Sequence, residues 1–310
     1  MILNIDAAQF FNYFPTAPHQ FSSEAFMNLN AGKVDKIVRL IQNTEKVQMG
    51  LIAGIHDGKL VSPFSAPFGG FHFKSEHVYP SAIESYLSDL QDYALSENLQ
   101  EMRVTLAPDI YSHSSNAKLV NVFTRLGFKM LNPEITNWVD LNEFREMFSV
   151  GASRTYYNQA ERNKLEFQLV TEISEMEMIY NLVLENRARM GRPIHMTFAN
   201  LQETGKLFLT DYFKIIDTKG EIVAGAIFYR AHPQIAYAVF WGDSINGRPV
   251  RAMDFLVFQL WNHYKKIGYR FIDLGISTES GIPNQGLLRF KETHECISSL
   301  RYSFTWAFNK

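Results

Sequence analysis

Phe290 and Lys291 stand side by side in the last part of the chain. A lysine ammonium can stabilise negative charge developing on a carbonyl or a leaving oxygen, and an adjacent ring can keep that site dry. The plainer alternative is a surface lysine paired with Glu292 or Glu295. Upstream, the loop Ser244–Arg251 leads into a helical pattern. Asn246 and Gly247 stand where the free N–H groups of a helix start can meet a phosphate, and Arg248 and Arg251 can add bidentate contacts. Pro249 supplies no donor, and a capped helix with two solvated arginines fits the same residues. Asp273 lies at the end of the apolar run FIDL, and Glu279 follows in the loop. Strand-end carboxylates serve as bases or amine anchors, although Asp also makes turns by bonding its own backbone. Tyr237, Val239 and Trp241 alternate along one stretch, so all three are expected on one face, as cleft lining or as core.

Other chemistries lack their residues. The single cysteine, Cys296, rules out an intrachain disulfide and a thiolate zinc cluster, and it reads as a small buried hydrophobe. His72 and His77 are too loosely spaced to form a metal pair, and no metal site is expected. His294, beside Glu295, is a further candidate, as a proton shuttle. No His-Glu-x-x-His, Gly-x-Ser-x-Gly or phosphate-binding Gly-x-x-x-x-Gly-Lys motif is present, which argues against metalloprotease, serine hydrolase and P-loop NTPase. A net charge of −2 gives no general attraction to nucleic acid or anionic membrane. The N-terminal stretch MILNIDAAQFFNYF lacks the pattern of a signal peptide, and no run approaches the ~20 apolar residues that span a bilayer. A soluble cytoplasmic protein is the expectation.

These residues must be positioned by a scaffold, and 310 residues with 46% hydrophobic content suffice for two ordinary domains. Both halves read as a hairpin, a helix and a further strand. In the first, residues 48–55 and 59–62 flank Asp57-Gly58, a pair that tolerates positive φ and so marks a hairpin. A helix over 82–98, the strand MRVTL, a helix over 116–126 capped by Ser114 or Ser115, and a closing strand NWVDL follow. In the second half, Ser174 and Glu177 fit a capping box. Strands over 213–216, 221–229 and 235–241 precede a helix over 252–267 and the strand FIDL. Hairpins alternating with single helices predict mixed α/β (α+β) domains with largely antiparallel sheets, not a doubly wound one. The domains are expected at 1–150 and 151–310, the last strands (299–306) crossing back to the first.

The order from WGDSINGRPVRAMDF through FIDLGISTES to Phe290-Lys291 resembles the second half of the FemA/FemB/FemX transferases, built from two tandem GNAT-like acyltransferase domains. The first half is similar through Pro67-Phe68-Gly69-Gly70, MRVTL, Leu126-Gly127-Phe128 and NWVDL. The segments ASRTYYNQAERNKLEF and ENRARMGRPIHMTFANL resemble the family's linking helix and the loop after it. Three features depart from the family. The region FMNLNAGKVDKIVRLIQN has no Trp, no long helical hairpin fits between Phe167 and Phe213, and Asn246–Ala252 lacks the glycines of the acetyltransferase donor loop.

The resemblance implies an N-acyltransferase that moves an acyl or aminoacyl group from an activated donor onto an amine of a small molecule, lipid or cell-wall precursor. Lys291, Phe290 and Asp273 would carry the chemistry, Arg248, Arg251, Asn246 and Gly247 would hold the donor, and Tyr237, Trp241 and Glu279 would line the substrate cleft. The donor would be acyl-CoA, an acyl-carrier protein thioester or aminoacyl-tRNA, with no tightly bound cofactor. A non-catalytic ligand- or partner-binding module on the same fold is the alternative. The sequence is silent on the oligomeric state.

Overall fold

The computed structural model describes residues 1–307. In chain order the first elements are β1 (Ile2–Asn4), α1 (Ala7–Tyr13), α2 (Glu24–Leu29), β2 (Lys36–Gln42), β3 (Met49–His56) and β4 (Lys59–Ser62). They are followed by β5 (Phe71–Phe73), α3 (Pro80–Ser96), β6 (Glu101–Thr105), α4 (Asp109–Arg125), β7 (Lys129–Met130) and β8 (Glu134–Asp140). Next come α5 (Gly151–Arg162), β9 (Glu166–Val170), α6 (Ile173–Arg189), α7 (Phe198–Gly205), β10 (Thr210–Ile216), β11 (Ile222–His232) and β12 (Ile235–Asp243). The remainder is α8 (Ala252–Lys266), β13 (Phe271–Ile276), β14 (Thr278–Glu279), β15 (Ile282–Pro283), α9 (Gln285–Thr293), β16 (Ile297–Arg301) and β17 (Ser303–Ala307).

The chain forms two compact units. Unit 1 comprises Met1–Ile135, Thr278–Ile282 and the segment from Ser299, and unit 2 comprises Thr136–Ser277 and Pro283–Ser298. One sheet runs β1-β2-β3-β4-β6-β17-β7 with β5 on β3, and the other runs β16-β8-β13-β12-β11-β10-β9. Each contains one parallel pair, β4 with β6 and β12 with β13, among antiparallel neighbours. The mixed, largely antiparallel character read from the sequence is therefore the architecture. The division falls between Ile135 and Thr136, not at 150/151. NWVDL has the alternation of a strand, but it belongs to the second sheet, between β16 and β13, and pairs antiparallel with β13. The place beside β6 is taken by β17, whose Ser303 lies opposite Thr105.

Helix α3 presents Ile83, Tyr86, Leu87, Leu90 and Ala94 at helical spacing, and all five are buried against the first sheet's Leu40, Leu51, Leu60 and Val104. Removing a large apolar side chain from such a stripe costs about 2–5 kcal/mol. In unit 2, α8 packs Leu256, Leu260, Trp261 and Tyr264 on Ala224, Ala226, Ala236 and Ile272. The other face of that sheet takes α6, where a Cβ on Gly225 would lie 2.9 Å from Ile179. Lys265 and Lys266 in the last turn of α8 complement the helix dipole.

Two local expectations are corrected. Helix α4 starts at Asp109 after Pro108, seven residues before the expected Asn116, and is kinked at Ser112, whose backbone is non-helical. Of the serines offered as caps, Ser114 and Ser115, the latter lies inside the helix and donates to Glu76 at 3.1 Å. The Ser174/Glu177 capping box does not form, because α6 begins at Ile173 and has no side-chain cap. The capping box in this part of the chain is Thr197 with Asn200, at α7.

In unit 1, His72 is fully buried among the rings of Phe10 (centroids 5.0 Å apart), Phe11 (6.0 Å) and Phe14 (5.8 Å). Neither ring nitrogen makes a hydrogen bond of normal geometry among the described residues. Burial above all, then the neighbouring His19, lowers its pKa from 6.5 to about 3, against a weaker upward pull from the Ser22 backbone. A depressed histidine leaves the fold neutral while the unfolded chain takes up a proton below about 6.5. Stability from this group is thus complete above that pH and falls as pH drops toward about 3, by up to about 5 kcal/mol. Thermal unfolding followed from pH 7 to pH 4 should show a falling midpoint. His72→Leu should flatten that fall, and an unchanged slope in the variant would assign it to other groups.

Candidate functional site

The parallel pair β12/β13 organises the candidate residues of unit 2. Their register runs from Ile235 opposite Phe271 to Tyr237 opposite Asp273 and stops there, although β12 continues to Asp243 and β13 to Ile276. Two backbone irregularities accompany the separation. On β12, Ile227 of β11 faces Phe240 while Phe228 faces Ala238, so Val239 is an extra residue, a β-bulge. On β13, Gly275 takes φ +66, a left-handed conformation that suits glycine.

Lys291 lies at this separated end. Its side chain, carried by α9, is 1% exposed, and Nζ donates to the carbonyls of Leu274 (2.9 Å), Gly275 (2.9 Å) and Ile276 (3.2 Å). Successive carbonyls of a regular strand point in opposite directions, so three can converge on one ammonium only where the strand is broken, as at Gly275. Burial lowers the Lys291 pKa from 10.5 to about 8, while Cys296 and Asp273 pull upward and Arg187 adds to the lowering. A surface lysine paired with its acidic neighbours is therefore excluded. Glu295 accepts from the Ser149 hydroxyl at 2.8 Å, and Glu292 accepts from Ser298 at 2.7 Å.

Asp273 is fully buried, and its Oδ1 accepts from the Gly275 N–H at 2.8 Å, the backbone-bonding arrangement of a turn-forming Asp. Phe290 is half-buried between Trp241 (centroids 5.8 Å apart) and His294 (4.2 Å). The shared face expected for Tyr237, Val239 and Trp241 is broken by the bulge. Trp241 joins the core with Ala236 and Ala238, whereas Tyr237 is opposite Tyr229 and outside that core. Glu279 belongs to unit 1, in the β14/β15 hairpin, and is exposed.

The loop before α8 is built differently from an open phosphate cradle. The Gly247 N–H donates to the Ser244 carbonyl at 3.1 Å, and Asn246 donates to Glu221 at 3.2 Å. Arg251 stacks 3.8 Å over Tyr156 and caps the helix in a left-handed conformation, φ 60. Arg248 is exposed and lies 3.8 Å from Asp243, which also receives Asn186 at 2.7 Å and Arg189 at 3.6 Å. Burial raises the Asp243 pKa, and these two arginines oppose the rise. Of Arg248 and Arg251, only Arg248 is exposed.

His294 does not reach solvent as a shuttle would. It is 2% exposed, with Nδ1 against the Phe290 carbonyl (2.6 Å) and Nε2 against Asp254 (3.0 Å), and its own carbonyl accepts from Trp261 at 3.0 Å. Cys296 is buried, and burial pushes its thiol up. Asp254 and Asp243 were missed by sequence reasoning. Asp254 did leave a signal, since a carboxylate sits one helical turn before Val257 and two before Trp261 on an otherwise apolar stripe. Asp243 left none, because the helix that supplies Asn186 and Arg189 to it is more than fifty residues away in sequence, as for Asn186 (57).

No family model and no curated protein sequence matches the chain. Solved structures do. FemX superposes with a TM-score of 0.71 at 11% identity, covering 100% of this chain and 98% of that one. L-PGS from Bacillus licheniformis gives 0.59 at 14% identity, covering 99% and 93%. A tandem GNAT protein from the clavulanic acid biosynthesis pathway gives 0.55 at 8% identity, covering 100% and 99%. The chain has the tandem GNAT fold of these proteins. No helix among the described residues is long and apolar enough to cross a membrane.

A Cβ on Gly247 would lie 2.2 Å from the Val223 carbonyl oxygen, so the loop can hold its course only with glycine. Gly247→Ala should destabilise the protein by about 1–3 kcal/mol. Denaturant unfolding checks this, and a cost within a few tenths of a kcal/mol would show that the loop relaxes freely.

Proposed function

We propose that the chain is an N-acyltransferase that moves an acyl or aminoacyl group from an activated donor onto an amine, with its chemistry in unit 2. The observation that carries this reading is the buried Lys291 ammonium at the point where β12 and β13 separate. A strand edge left bare beyond Tyr237 offers backbone groups to an extended donor, and a buried cation beside it supports a role in stabilising negative charge on a tetrahedral intermediate. The tandem GNAT fold supports the same reading.

In this scheme the neutral amine attacks the acyl carbonyl, and the carbonyl oxygen takes up negative charge. The C–N bond forms, the bond from carbonyl carbon to donor sulfur or oxygen breaks, and the amine's proton passes to the leaving group or to water. Lys291 has its three protons on main-chain carbonyls, so its part is electrostatic and positional: it holds the strand end and supplies positive charge. Phe290 and Trp241 keep water from that charge. Arg248, exposed and anchored by Asp243, is the side chain best placed to meet a donor phosphate. Acyl-CoA, a carrier-protein thioester and aminoacyl-tRNA all fit as donors, and a small-molecule, lipid or cell-wall amine as acceptor. A non-catalytic module is the second reading. It is favoured by the closure of the Gly247 N–H and by the full occupancy of the Lys291 protons.

A thermal-shift panel of CoA, acyl-CoAs and bulk tRNA separates the two, since a ligand held only by the folded state adds about 2.7 kcal/mol at a hundredfold excess over Kd. With the donor in hand, Lys291→Met should lower turnover on the order of 10²- to 10³-fold, and Lys291→Arg should recover part of it. The ammonium form is required, so wild-type turnover at saturating amine should fall as pH rises through about 8. Unchanged turnover in Lys291→Met would remove the lysine from the mechanism, and absence of any donor shift would favour the module.

A further inference from the structure

We infer that His294 is a positioning residue for Lys291: paired with Asp254, it fixes the turn that ends α9 and so holds the lysine ammonium against the break in β13.

The turn closes on residue 291 itself, since the N–H groups of His294 and Cys296 both donate to the Lys291 carbonyl, at 3.0 and 3.2 Å. To allow this, Glu295 takes φ 69, the left-handed conformation that glycine usually fills at a helix end. A residue with a side chain stays there only where its surroundings over-determine it. Here they act from three sides. Trp261 of α8 donates to the His294 carbonyl at 3.0 Å, and Glu295 accepts from the Ser149 hydroxyl at 2.8 Å. The third hold is the His294 ring on Asp254 of α8.

The contacts of that ring need one proton more than a neutral imidazole carries. Nδ1 lies 2.6 Å from the Phe290 carbonyl, which can only accept, so Nδ1 bears a hydrogen. Nε2 lies 3.0 Å from Asp254 Oδ1. A ring with its hydrogen on Nδ1 alone would turn a lone pair toward a carboxylate, so the pair shares a further proton. Both side chains are buried, at 3% and 9% exposed, and the rings of Phe148 and Phe290 lie against the imidazole, with centroids 4.9 and 4.2 Å away. An apolar pair of similar volume would pack such a place at least as well, so stability alone gives no reason for a polar one. What the polar pair adds is direction. The ring ties residues 290 and 294 to α8, and Lys291 lies between them. The other titratable groups that act on Lys291 are Asp273, Cys296 and Arg187, while Glu292 is turned to Ser298. This role rests on the reading of Lys291 as the charge that serves transfer, but its test needs no donor.

Trace labelling of the full chain with acetic anhydride from pH 6 to pH 11, read at each lysine by mass spectrometry, gives the pH at which Lys291 titrates. In wild type that midpoint should be about 8. In His294→Leu and in Asp254→Leu the turn is released, the ammonium regains water, and the midpoint should rise toward the ordinary 10.5. Asp254→Asn should keep it near 8, because the amide can donate to Nε2 while the Nδ1 hydrogen stays on the Phe290 carbonyl. Lys214, paired with Glu175 at 2.6 Å in the same unit, should label alike in all four proteins and so reports an intact fold. Should His294→Leu fail to fold, the two Asp254 variants decide. A midpoint that stays near 8 in the leucine variants, or that rises as far in Asp254→Asn as in Asp254→Leu, would overturn the positioning role. Unchanged turnover in Lys291→Met would instead remove the lysine from transfer and leave the labelling result standing.

Discussion

A lysine ammonium inside a protein persists only where the structure supplies oxygen atoms to replace water, and Lys291 obtains three from consecutive residues of β13. That single requirement constrains much of unit 2. Strand β13 must break its alternation at Gly275 to turn three carbonyls one way, and a broken strand cannot stay in register with β12. Helix α9 must enter at the angle that buries residue 291, which the His294–Asp254 contact and the Trp261 bond fix from below. The cost of burial is visible in the depressed lysine pKa, about 8. A group so poised changes charge with small changes in its surroundings, which is useful to catalysis and of little use to stability alone.

The same plan is present twice, with different outcomes. Each sheet contains one parallel pair among antiparallel neighbours. In unit 2 the pair separates beside a buried cation. In unit 1 the gap past Ser62 is rejoined by the bridge between Gly69 and Leu106, where a Cβ on Gly69 would lie 2.6 Å from the Ser62 hydroxyl. Duplication of a fold leaves each copy free to keep or lose a site, so function must be argued from each copy's own residues. Those residues place a buried cation beside parted strands in unit 2 and close the corresponding gap in unit 1.

Elements governed by local periodicity were legible in the sequence. The stripes of α3 and α8 and the Asp57-Gly58 hairpin follow from 3.6-residue spacing and from turn chemistry that acts over a few residues. Partnerships between distant segments were not. NWVDL announces a strand but nothing in it names β13 as its neighbour, and this displaced the boundary from 150 to 135. The bulge at Val239 has no side-chain signature, so the face of Trp241 was misread. Lys291 was found, but its surroundings were hidden, because its partners are backbone carbonyls that every residue possesses. The family resemblance supplied the fold, and the geometry then altered the roles, moving Gly247 from donor binding to close packing and His294 from proton transfer to support.

The central claim is that an activated donor lies along the separated β12/β13 end of unit 2. Hydrogen–deuterium exchange with and without acetyl-CoA, a longer acyl-CoA and aminoacyl-tRNA tests it most directly. The account predicts that one donor slows exchange at residues 238–251 and 274–276 and leaves the amides of unit 1 unchanged. Protection confined to unit 1, or none from any donor, would contradict it.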